Sequence, residues 1–149
     1  MKFDSDKTSS RRKMRKAHFG ATSVDRRQRM SCGLSKDLQN KLSKEFKVQK
    51  MRSISIPVIK GDEVKVVRGQ FKDQEGKVTA CYRKKYVIHV EKCTREKQNK
   101  QVIPVGIDAS NCIISKLKMD KSRKAIIARK VGGKNGASAI TGNNLAGVD

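Results

Sequence analysis

Apolar residues alternate with polar ones through the middle of the chain, in short runs separated by turn formers. Val64 and Val66 mark a first strand, and Gly69 to Glu75 is a loop. Two more alternating runs then flank Tyr82-Arg83-Lys84-Lys85-Tyr86. With Arg83 to Lys85 as a three-residue hairpin loop, Tyr82 faces Tyr86, Ala80 faces Ile88 and Val78 faces Val90, which makes one side of the ladder wholly apolar. The other side pairs Lys77 with Glu91 and Thr79 with His89. Short strands at Gln101 to Ile107 and Cys112 to Lys118 bring the total to five over roughly sixty residues, the size of a small closed barrel. Pro57 opens the first strand, and Pro104 inside the fourth predicts an edge or bulge.

The period changes on both flanks. Leu34, Leu38, Leu42 and Phe46 recur every four residues behind Ser35, which predicts a short helix with a serine cap. After the strands, Asp120 caps a second helix to about Lys130, stopped by Gly132 and Gly133. The glycine-rich end reads as a flexible tail. Residues 7 to 30 hold only scattered apolar positions, so they are expected to order on a partner. The chain divides into a basic extension with a short helix (1–56), a β domain (57–118) and a C-terminal helix with its tail (119–149).

Charge decides what such a chain needs. Thirty-six Lys and Arg against fourteen Asp and Glu leave a net charge of +22 on 149 residues, which calls for a polyanionic partner. The charge is uneven: residues 1–50 carry 15 cations and 5 carboxylates, residues 51–115 carry 13 and 7. No apolar window reaches the roughly 18 to 20 residues of a membrane span, and no apolar stretch follows the first charges, so a soluble, unsecreted protein is expected. Cys32, Cys81, Cys93 and Cys112 stand singly without metal-ligand spacing, so no metal is expected.

No catalytic pattern emerges. The run from Gly69 to Lys77 has six residues between its glycines and a valine after the lysine, where a phosphate loop has four and a hydroxyl. His18 lies in a cationic arm, His89 on a mixed strand face, and Asp62 and Glu63 read as exposed solubilising carboxylates at a strand start. No enzyme activity and no cofactor are expected.

Nucleic-acid chemistry is well represented instead. Arg11, Arg12, Lys13, Arg15 and Lys16 put five cations in six residues, and Arg26, Arg27 and Arg29 repeat the density, with His18 and Phe19 between. Arginine forks pair with phosphate and a ring stacks on an unpaired base, a mixture suited to irregular folded RNA. No DNA-reading signature is present. Arg83, Lys84 and Lys85 sit at a hairpin tip without ordinary turn residues, where flanking tyrosines would hold them rigid, and Lys116 and Lys118 close the last strand.

The segment KGDEVKVVRGQFKDQEGKVTACYRKKYVIHVE, Lys60 to Glu91, resembles the KOW motif. SSRRKMRKAHFGATSVDRRQRMSCGLSKDLQNKL before it and VGIDASNCIISKLKMDKSRKAIIARK after it are similar to the eukaryotic form of the universal KOW-containing family of large-subunit ribosomal proteins, over residues 8 to 130. That resemblance implies a five-stranded SH3-like barrel near the polypeptide exit, with extensions on ribosomal RNA beside neighbouring ribosomal proteins. It further implies a part in subunit assembly, no homo-oligomer, and a cytoplasmic ribosomal location with nucleolar passage beforehand. By position, Gly61, Gly69 and Gly76 match the motif's turn glycines, and Arg68 and Lys72 its loop cations. Asp73 stands where many such loops have glycine; aspartate tolerates left-handed backbone better than most residues. The alternative is a KOW-type transcription elongation adaptor, although such factors carry a further domain ahead of the barrel and residues 1–56 do not read as one.

Overall fold

The computed structural model describes residues 8–45 and 55–132. In chain order these form α1 (Arg11–Phe19), α2 (Ser23–Arg29), β1 (Ser31–Leu34), α3 (Lys36–Glu45), β2 (Ser55–Pro57), β3 (Glu63–Val66), β4 (Glu75–Tyr82) and β5 (Val87–Val90). Then come β6 (Thr94–Glu96), β7 (Val102–Pro104), β8 (Ile107–Asp108), a single 3-10 turn, β9 (Cys112–Lys116) and α4 (Lys121–Gly132). The protein is rich in β-structure, as its alternation predicts. Phe46 and the tail beyond Gly132 lie outside the described residues.

The sheet corrects the expected five-stranded closed barrel. Seven strands run in the order β2-β1-β9-β3-β4-β5-β8 in an open sheet, and β6 with β7 forms a separate ribbon. Two causes act. Segments ahead of residue 58 supply β1 and β2, and β1 pairs in parallel with β9, Gly33 opposite Ile113. The single strand expected between Gln101 and Ile107 is broken in two: β7 joins the ribbon, with Pro104 at its end opposite Thr94, and β8 joins the main sheet. Pro57 ends β2 rather than opening the next strand.

Alternation accounts for the core. Val64 and Val66 on β3, Val78 on β4, Ile88 and Val90 on β5, and Ile114 on β9 are each at most 1% exposed, together with Ile56 and Ile127. Each such side chain contributes roughly 1.5–3 kcal/mol by leaving water. Leu34 points into this core from β1, so α3 begins two residues later than its four-residue period suggests. Ser35 caps it as expected, its Oγ accepting from Leu38 N at 3.3 Å.

Asp62, expected at the surface, is fully buried. Its carboxylate accepts from Ile59 N and Lys118 N at 3.0 Å each, and from Arg123 at 2.5 and 2.7 Å. Arg123 also donates to Pro57 O at 2.7 Å, so one ion pair fastens α4 to β2 and to the turn before β3. Asp120 caps α4 as predicted, accepting from Arg123 N.

Candidate nucleic-acid interface

The hairpin at the tip of β4 and β5 departs from the expected register. Val78 faces Val90, but the register shifts before Ala80, which then faces His89, while Cys81 faces Ile88 and Tyr82 faces Val87. One additional residue in β4 lengthens the loop to Arg83–Tyr86. The two tyrosines therefore part company: Tyr82 is 47% exposed and leans on His89, whereas Tyr86 is 8% exposed with φ 56°. A Tyr82–Tyr86 pair does not hold the tip.

The arm holds it. α1 and α2 are both helical, although neither contributes a buried residue, and Thr22 caps α2 by accepting from Asp25 N. The His18 ring stacks on Tyr86, centroids 4.1 Å apart, and the Tyr86 hydroxyl donates to His18 O at 2.5 Å. Arg26 lies against the same ring, its Cζ 4.9 Å from the Tyr86 centroid. Its guanidinium donates to Lys84 O at 2.9 Å and Arg83 O at 3.3 Å in the tip, and to Ala21 O and Phe19 O in the arm. Arg29 donates to His18 Nδ1 at 3.0 Å, since a guanidinium has no acceptor.

Arg26, Arg29 and His18, read from sequence as RNA ligands, are thus engaged within the protein. Most of the remaining cations are not. Arg11, Arg12, Lys13 and Lys16 on α1, Arg27 on α2, and Arg83, Lys84 and Lys85 on the tip are exposed, and none has a carboxylate at ion-pair distance among the described residues. Phe19 is 54% exposed, with Arg15 Cζ 4.9 Å from its centroid and the His18 ring against it edge-on. By helical spacing Arg12, Arg15, Lys16 and Phe19 share one stripe of α1.

The KOW loop, between β3 and β4, carries its own cations. Arg68 and Lys72 are exposed, Gly61 and Gly69 take left-handed φ of 99° and 96°, and Asp73 does so at 66° with its carboxylate 3.6 Å from Lys65. The aspartate therefore replaces a turn glycine without leaving a bare charge. Gly76 lies inside β4 instead of a turn, where a Cβ would come within 2.8 Å of Val90 Cγ1. Lys118 is exposed, and Lys116 sits 3.7 Å from Glu63.

Burial pushes the Cys112 thiol up to about 11 and raises Cys32 further still, so neither offers a thiolate at neutral pH. Arg27 does line one groove of about 820 Å³, between α2 and α4, with Val24, Pro57, Ile126 and Arg129. Sequence reasoning passes over Tyr86 as an arm anchor, because nothing local to YRKKY announces a partner far back in the chain.

A family profile described as the ribosomal proteins L26 of eukaryotes and their archaeal L24 counterparts matches residues 8–130. The chain belongs to this family. Members similar to it include the large ribosomal subunit protein uL24 of Schizosaccharomyces pombe, 52% identical over 132 residues, which cover 89% of this chain and 98% of that one. The uL24 of Dictyostelium discoideum is 52% identical over 130 residues, 87% of each chain. That of Caenorhabditis elegans is 42% identical over 140 residues, 94% of this chain and 92% of its own. As a ribosomal protein of this family the chain is a structural component and no enzyme, and the elongation-adaptor alternative falls.

Proposed function

We propose that this protein is a structural constituent of the large ribosomal subunit that binds ribosomal RNA through α1, the hairpin tip and the KOW loop. The observation that carries the reading is the row of exposed cations on α1 and the tip that have no carboxylate at ion-pair distance among the described residues, in a family whose relatives bear the name of a large-subunit protein. Exposed arginines neutralise phosphates, and Phe19 offers a face to an unpaired base. Arg68, Lys72, Lys116 and Lys118 supply further contacts on the sheet side. The site on the subunit is near the polypeptide exit beside neighbouring ribosomal proteins, after nucleolar passage and a part in assembly, with a cytoplasmic ribosomal destination.

The test is direct. Large subunits washed at high salt should retain the protein stoichiometrically, and residue-resolved crosslinking should join α1 and Arg83–Lys85 to ribosomal RNA. Loss in the wash, or crosslinks only to protein, would refute the reading.

A further inference from the structure

We infer that Tyr86 and Arg26 are positioning residues that latch the cationic arm to the hairpin tip before RNA arrives, so that α1 and the tip present a single preformed surface to the phosphate backbone. The inference rests on the RNA-binding reading and adds the device that makes the two contact regions act together. Four observations converge on it. Tyr86 keeps a left-handed backbone at φ 56°, which is unfavourable for a bulky side chain and persists only where the surroundings over-determine it. What surrounds it is the arm: His18 stacked on one side, the His18 carbonyl on its hydroxyl, and the Arg26 guanidinium 4.9 Å from its centroid.

Arg26 in turn spans both parts, donating to two tip carbonyls and two arm carbonyls. Lysine could not do this, because the bridge needs several N–H groups in a planar fork. Finally, α1 and α2 bury no residue of their own, so the latch supplies what local packing does not. Holding the arm in place in the free protein removes an ordering cost that RNA would otherwise meet on binding.

The experiment uses the full chain and a transcript of large-subunit ribosomal RNA. Tyr86→Asn removes the ring but keeps a residue at ease with left-handed backbone, so the sheet should stay folded, as its melting will show. Arg26→Lys keeps the charge and removes the fork. Both variants should lose amide-exchange protection across residues 11–29 in the free protein and bind RNA about ten-fold more weakly. The slope of log affinity against log salt should hold, because no phosphate contact is deleted, whereas a direct ligand would take about one unit of slope with it. Tyr86→Phe, which removes only the hydroxyl, should lose a few-fold.

In a double-mutant cycle, Tyr86→Asn should cost little once Arg11, Arg12 and Arg15 are all glutamine, since the arm then has less to deliver. An arm unprotected in the wild-type chain, unchanged affinity in both variants, or full additivity with the arm changes would overturn the latch. Should the wild-type chain bind no ribosomal transcript, the functional reading fails, while the exchange data still decide whether the arm is latched.

Discussion

Asp62 is fully buried among four donors, two of them from Arg123, which is itself 2% exposed. Removing one partner of such a pair strands a charge in low dielectric. Arg123→Met should therefore destabilise the protein by about 3–5 kcal/mol in urea titrations, and adding Asp62→Asn should recover part of that loss. Gly76 is a second sensitive position, because a methyl there would meet Val90 Cγ1 at 2.8 Å. Gly76→Ala should cost about 1–3 kcal/mol, reduced when Val90 is shortened to alanine. The buried thiols set an alkaline limit. Cys112, raised to about 11 by burial, stays protonated in the fold while the unfolded chain ionises near the ordinary thiol value of 9.0. The unfolded state thus binds fewer protons between those values, so stability is intact below about 9 and falls as pH rises toward 11, by about 2–3 kcal/mol for this thiol. Denaturation at pH 8 and 10 checks this, and Cys112→Ala should flatten the dependence.

At the scale of elements, caps and alternation were legible because each is written within a few residues. Ser35 and Asp120 cap α3 and α4 where the sequence places them, and Ser35→Ala should lower stability by about 1 kcal/mol in thermal unfolding. Val64, Val66, Val78, Ile88 and Val90 line the core as their spacing indicates. β1 was not legible: four residues including a glycine, sharing Leu34 with a helical period, and paired in parallel with a strand at the other end of the chain. The register shift before Ala80 was hidden for a related reason. Strict alternation across the hairpin leaves Val78 opposite Val90 in either register, and Tyr86, beyond the shift, has its partners in the arm. The helices α1 and α2 escaped notice because apolar pattern is absent from them and their anchor is a guanidinium. For the interface, cation density marked segments that the structure leaves largely exposed. It could not tell Arg26, turned inward onto carbonyls, from Arg11 and Arg12, which remain exposed.

For the whole molecule, a charge of +22 makes binding to polynucleotide strongly dependent on salt. With ~10 phosphates neutralised, log affinity for a ribosomal transcript should fall against log salt with a slope near −7 to −9, measured by filter binding across potassium chloride concentrations. A slope shallower than about −3 would mean that most of the exposed cations stay away from RNA. The pairing of Gly33 with Ile113 bears on how the molecule is made. During synthesis β1 emerges early and must wait for β9 before its buried edge has a neighbour. The nascent chain therefore carries its most basic portion ahead of an unfinished sheet, and completion of the fold is timed to the departure of almost the entire polypeptide from the machine assembling it.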